Sequence, residues 1–169
     1  MLIRSHRYGL RIKSAPVDDG SIKEIIGWLN NPKIVRFSEQ RHTLHTMQSQ
    51  RLYICELGQA DHYLGIYSYD LLIGTITATM DVSNKVANVG IMIGDQSYWG
   101  KGFGFDAWST VCDWLLNNHV RKIEAGCMCC NNAMMSICSH YGMMEEGRQE
   151  DHFLYHDIPM DLVHWGKLK

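Results

Sequence analysis

The sequence predicts a single α/β (α+β) domain in which a mixed, mainly antiparallel sheet is flanked by helices. Three observations lead there. The chain has 169 residues, enough for one sizeable core, with 46% hydrophobic and 20% charged residues, the balance of an ordinary globular protein. Residues 62–95 hold three β-rich runs whose connections are too short for parallel crossovers, which makes them an antiparallel meander. Before and after the meander, apolar residues recur at three- and four-residue steps, the spacing of helices. No repeat, low-complexity tract or linker divides the chain, so one domain is expected over residues 1–169.

Taken in order, "YGLRIKSAPV" reads as a first strand closed by Pro16. The segment "DDGSIKEIIGWLNN" reads as a helix: Ser21 and Glu24 have capping-box spacing, Ile22, Ile25, Ile26 and Leu29 share a face, and Asn31-Pro32 stops it. "KIVRFSEQRHTLHT" is polar and irregular, and helical spacing resumes over residues 46–57. In the meander, turns are expected at Tyr69-Asp70 and Ser83-Asn84. Leu72, Ile76, Ala78 and Met80 are expected on one face of the second run and Thr75, Thr77 and Thr79 on the other; Ala87, Val89, Ile91 and Ile93 share a face of the third. A helix follows, with Trp108, Val111, Cys112, Leu115 and Leu116 as its apolar stripe and Asp106, Ser109, Asp113 and Asn117 toward water. "RKIEAGCMCC" is the next strand. "NNAMMSICSHY" is a short helix that Gly142 caps, and two β runs around "MMEEGRQED" and "MDLVHWGKL" close the fold.

Composition excludes several functions. A net charge of −2 argues against bulk nucleic-acid binding, so no direct nucleic-acid partner is expected. No apolar run approaches membrane-spanning length, and "MLIRSHRYGLRIK" lacks the apolar region of a secretory signal. A cytoplasmic protein with no membrane partner is therefore expected, its six cysteines reduced. Nine histidines and the "CMCC" cluster invite a metal, but no CxxC pair or HExxH is present, so none is expected.

The segment with the most chemistry is "SYWGKGFGFDA", where Gly100, Gly102 and Gly104 alternate between a strand and a helix. The first turn of a helix has free N–H groups and a positive dipole end, and glycine lets a phosphate approach the backbone. Together they make an anion cradle. Walker chemistry fails: Gly94 to Gly100 is one residue too long, and Gly102 follows Lys101 where Ser or Thr would bind magnesium. A dinucleotide fingerprint fails too, because the comb is GxGxG and follows an antiparallel meander.

The order meander, glycine turn, helix, strand, helix, two strands resembles the GNAT superfamily of acetyl-CoA-dependent N-acetyltransferases, most strongly over residues 71–147. "YWGKG" resembles its ribosomal-protein-alanine acetyltransferase (RimJ/RimL-like) branch, with Trp99 where the wider family has Gln or Arg. The resemblance implies that Trp99, Gly100, Lys101, Gly102, Phe103 and Gly104 hold the pyrophosphate of acetyl-CoA. It implies that Ile91, Met92 and Ile93 bind the pantetheine arm through their backbone, one N–H polarising the thioester carbonyl. Asn131 matches a residue that reaches the cofactor; it is equally a helix N-cap.

Two positions depart from the family. Where relatives carry a tyrosine as general acid, this chain has Cys138, either the acid that protonates the leaving thiolate or a small core residue. Where some relatives carry a glutamate on the meander, it has Asn88, which accepts no proton. The base is then sought in "FSEQRHTLHT", where Glu39, Arg41, His42 and His45 crowd one loop, Glu39 and His42 foremost. That loop reads equally as a solvated surface with a local ion pair. His152 and His156 are further candidates, in the expected loop between the last two strands. The resemblance thus implies direct acetyl transfer to a primary amine, on a small molecule such as an amino sugar or on a protein N-terminus. The alternative is a catalytically weak or inactive CoA-binding module. A second copy of the chain is a further expected partner.

Overall fold

In the computed structural model, which describes residues 2–58 and 61–169, all strands join one sheet. Its strands are β1 (Leu2–Arg4), β2 (Arg11–Ser14), β3 (His62–Ser68), β4 (Leu71–Asp81), β5 (Val86–Ile93), β6 (Lys122–Met128), β7 (Met144–Tyr155) and β8 (Ile158–Leu168). They lie in the order β1-β2-β3-β4-β5-β6-β8-β7. Every neighbouring pair is antiparallel except β5 and β6. The helices are α1 (Asp19–Leu29), α2 (Pro32–Val35), α3 (Met47–Glu56), α4 (Phe103–Asn117) and α5 (Asn132–His140). The single α/β domain with a mixed, mainly antiparallel sheet is as the sequence predicts.

The N-terminal third differs in detail. The expected first strand is the shorter β2; an additional strand, β1, precedes it and pairs with it, and Tyr8 and Gly9 lie in the connection between them. Helix α1 is capped by Asp18, whose carboxylate accepts from the Ser21 N–H, so the expected Ser21–Glu24 box does not form. A carboxylate is among the strongest N-caps, and it starts the helix a turn earlier. Asn31-Pro32 ends α1 and also starts α2, with Asn31 as N-cap and Pro32 in its first turn. Thr46 and Ser49 cap α3 reciprocally.

One face of the sheet carries α4. Trp108, Val111, Cys112, Leu115 and Leu116 are buried there against Ile12, Ile66, Ile76, Ala78, Ala87 and Val89. The other face packs under α1, where Ile25 and Trp28 meet Tyr67 and Leu72. Alternation places Leu72 on the face of Ile76, Ala78 and Met80, but it lies on the opposite one. The register shifts between Ile66 and Tyr67, so Ile66 faces Gly74 while Tyr67 faces Leu72. The extra residue is Ile73, and this bulge turns Leu72 to the opposite face. Asp106 also departs from the expected pattern: it is 4% exposed, for reasons that belong to the site. His152 lies within β7, leaving His156 and Asp157 in the final turn.

Candidate functional site

Strand β5 and strand β6 pair through only three rungs, Val86–Lys122, Ala87–Ile123 and Asn88–Glu124. Beyond Asn88 the two strands diverge. β6 continues along β8 and β5 continues along β4, so Val89–Ile93 face a gap on one edge. Alternate residues of that edge present unpaired N–H and C=O groups to whatever fills it. Ile91, Met92 and Ile93 therefore lie where an extended ligand arm would find a strand to pair with. Their side chains are half-buried against the core: Ile91 and Ile93 pack on the cluster around α4 and Met92 on the cluster around Trp28.

The strand runs directly into the glycine turn. Gly100 (φ 68°) and Gly102 (φ 87°) both adopt the left-handed conformation, and Gly102 is the N-cap of α4. The first intrahelical bond from this end is the Asp106 N–H to the Gly102 carbonyl, 3.0 Å. Among the described residues, no protein acceptor takes the N–H groups of Gly100 through Phe105. A Cβ at Gly100 would meet nothing within 4 Å, so the approach to this row of donors is open. Gly104 lies between Ile93 and Ile137, where a Cβ would be in ordinary contact with both. An anionic group fits this turn on donor geometry and space alike.

Trp99 and Phe103 brace the turn. The Trp99 indole N–H donates to the Ile93 carbonyl at 2.8 Å, tying the end of β5 to the turn. Phe103 is stacked under Tyr8 and edge-on to Tyr98. Lys101 is exposed and forms no ion pair among the described residues. Asn131 is the N-cap of α5, its side-chain oxygen accepting from the Met134 N–H at 3.2 Å. Its amide NH2 remains available to a ligand.

Cys138 is fully excluded from solvent and faces the core shared with α4. Burial pushes its thiol up to about 12. An acid this weak, shut off from solvent, is a poor proton donor for a thiolate of pKa ~8.5, so the placement argues for the packing role. Tyr141 does not replace it: it is buried, and its hydroxyl donates to Asp113 of α4 at 2.7 Å. Burial likewise raises the Cys127 thiol to about 11 and the Cys112 thiol well above its ordinary value. At pH 8, a thiol reagent should therefore label exposed Cys55 and half-buried Cys129 and Cys130 while sparing Cys112, Cys127 and Cys138 until denaturant is added. Mass spectrometry of labelled peptides reads this directly, and native labelling of Cys138 would return it to the list of reactive groups.

The polar loop forms a 3₁₀ turn over Glu39–His42. Arg41 organises it, donating to Glu39 at 2.7 Å, to the Ser38 carbonyl, and to the Leu154 carbonyl of β7 at 3.0 Å. His42 Nε2 lies 3.8 Å from the other Glu39 oxygen, and both side chains are more than half exposed. Burial raises the Cys130 thiol, an effect that the nearby Arg41 charge partly offsets. The loop is thus tied to β7 through Arg41. Phe37 and Tyr155, with ring centroids 5.4 Å apart, add an aromatic contact between the start of this loop and the end of β7. His45 is turned back onto its own loop, toward the Gln40 carbonyl.

The groups that sequence reasoning missed are Ser5, Tyr8 and Asp106. The carboxylate of Asp106 receives the Ser5 hydroxyl and the N–H groups of Arg7 and Tyr8, both at 3.0 Å. The signal available was one acidic residue close to the start of a helix, which reads more simply as a solvated end.

A splayed parallel pair, with a glycine turn of free N–H groups at the C-terminal end of one strand, is an arrangement that fits an extended ligand bearing a phosphate group. The comparisons carry this further. The model of the acetyltransferase (GNAT) domain matches residues 11–144, and the chain belongs to that family. No curated protein matches it. Among solved structures it is similar to RimL, a ribosomal L7/L12 alpha-N-protein acetyltransferase in complex with coenzyme A (13% identity, 99% of this chain and 98% of that one, TM-score 0.84). It is also similar to spermidine N-acetyltransferase from Vibrio cholerae in complex with CoA and spermine (19%, 94% and 95%, 0.82). A third is ribosomal-protein-S5-alanine acetyltransferase from Vibrio fischeri (18%, 99% and 96%, 0.79). At these identities the likeness is one of fold. Among the described residues no group of three or more metal-ligating side chains is assembled, and no helix is long and apolar enough to cross a membrane.

Proposed function

We propose that the chain is an acetyl-CoA-dependent N-acetyltransferase that passes an acetyl group directly to a primary amine. The observation that carries this is the row of free N–H groups from Gly100 to Phe105, placed where the splayed strand β5 ends. In this reading the turn holds the pyrophosphate and the open edge of Val89–Ile93 takes the pantetheine arm. One N–H of Ile91–Ile93 donates to the thioester oxygen as negative charge develops on it. The amine nitrogen attacks the carbonyl carbon, the C–S bond breaks, and the thiolate leaves. Positioning supplies much of the acceleration, so neither a tyrosine acid nor a strand glutamate is required. The Glu39–His42 pair, 3.8 Å apart and open to solvent, is the candidate to take the ammonium proton.

The acceptor is a small or peptide amine. RimL is named for acetylating a protein and the Vibrio cholerae enzyme for acetylating spermidine, so both classes belong in the test. Calorimetry should show stoichiometric binding of CoA, and acetyl-CoA mixed with panels of peptides, polyamines and amino sugars should release free thiol with one class. Failure to bind CoA sinks the proposal. Tight binding with no thiol release from any panel favours the alternative, a CoA-binding module, which the burial of Cys138 already makes worth testing.

A further inference from the structure

The connection between β1 and β2 is fastened to the glycine turn by a closed hydrogen-bond network. Asp106 is buried without a cationic partner, and its oxygens are taken by the Ser5 hydroxyl and the Arg7 and Tyr8 N–H groups. Ser5 Oγ accepts in turn from the Leu10 N–H at 2.8 Å, and the Ser5 N–H donates to the Leu10 carbonyl at 2.9 Å. A buried carboxylate is costly unless its hydrogen bonds are made, so this segment has one favoured position relative to α4.

That position puts Tyr8 over the turn. Its ring stacks on Phe103 with centroids 4.3 Å apart and 21° between planes, and its hydroxyl donates to the Lys101 carbonyl at 2.8 Å. In a trans peptide the carbonyl of one residue and the N–H of the next point in opposite directions. Pinning the Lys101 carbonyl toward Tyr8 therefore aims the Gly102 N–H away from Tyr8, into the row of free donors. Gly102 is the residue with φ 87°, where the chain has the least resistance to turning.

We propose that Tyr8 is a positioning residue for the phosphate-binding turn, held in register by the Ser5–Asp106 clamp and setting the direction of the Gly102 N–H. This rests on reading the turn as the pyrophosphate site. Tyr8 then governs affinity for the phosphates and leaves the pantetheine arm untouched.

The test is calorimetric titration of the full chain with CoA, and with pantetheine, which has the arm but no phosphates, in competition with CoA. Tyr8→Phe keeps the stacked ring and removes only the hydroxyl. CoA affinity should fall about three- to tenfold, the effect of one hydrogen bond, with pantetheine affinity unchanged and the melting temperature lowered by no more than about 2–4 °C. Tyr8→Leu also removes the stack and should lose more. Unchanged CoA affinity in Tyr8→Phe overturns the proposal, as does an equal loss for CoA and pantetheine, because a general loosening of the fold would weaken both. Wild-type protein that binds no CoA overturns the pyrophosphate reading and this inference together. Tight wild-type binding with an indifferent Tyr8→Phe overturns this inference alone.

Discussion

Gly94→Ala will lower the unfolding midpoint by about 5–10 °C, although it adds a single methyl group. A Cβ at Gly94 would lie 1.9 Å from Cδ2 of the Trp28 ring, and the ring cannot retreat because Ile25, Tyr67 and Leu72 enclose it. Overpacking of this kind costs about 1–3 kcal/mol or more, and a chain of this size loses about 2–4 °C for each kcal/mol. The effect reaches the site, because Gly94 directly follows β5 and its N–H is held by the Ile73 carbonyl at 2.9 Å. Gly27→Ala is the matched control. It lies in α1 beside Trp28, a Cβ there meets nothing within 4 Å, and helix propensity favours alanine by about 0.5–1 kcal/mol. Thermal unfolding of the two variants should move in opposite directions. A Gly94→Ala midpoint equal to wild type would mean that Trp28 is not confined as described.

Gly102→Val should reduce CoA affinity by about 100-fold or more. Valine at φ 87° is strained by about 1–3 kcal/mol, and its Cβ would lie 3.0 Å from the Tyr8 hydroxyl. Relief of that strain turns the peptide and withdraws donors from the row. Each charge-assisted hydrogen bond lost there costs about 1.5–3 kcal/mol, so two suffice for the predicted loss. The turn is exposed and relaxes locally, so the midpoint should fall less than in Gly94→Ala. Calorimetry and thermal unfolding on the same preparation separate the two effects. Unimpaired CoA binding by Gly102→Val would remove the turn from the binding site.

Much of this architecture was legible because periodicity reports burial. The faces of β5 and α4 follow from alternation and three-four spacing, and the glycine comb stood out because few other turns need three glycines. The reversals have specific causes. Leu72 changes face through a bulge, which shifts register without changing the residue types on either side. Asp106 is buried because Ser5, Arg7 and Tyr8, about a hundred residues away, satisfy it, and a carboxylate's local pattern is the same whether water or protein does so. Cys138 and Asn131 were ambiguous for the opposite reason: each residue type suits two roles, and only three-dimensional placement weighs one against the other. The loop around Glu39 has the polar character and the local ion pair that one of its two readings expects, while its anchorage to Leu154 through Arg41 depends on the returning β7.

The three-rung pairing of β5 with β6 also has a mechanical consequence. Five strands lie on one side of that junction and three on the other, and little backbone bonding crosses it. Helix α4, which connects the two groups along the chain, acts as a splint across the seam. Edges of this kind on the outside of a molecule invite other chains to pair with them. Here the two edges face each other and are kept from closing by their divergence. An occupant laid into the seam would act as mortar, supplying the rungs the protein omits, so the whole sheet should resist pulling and proteolysis more strongly when filled than when empty.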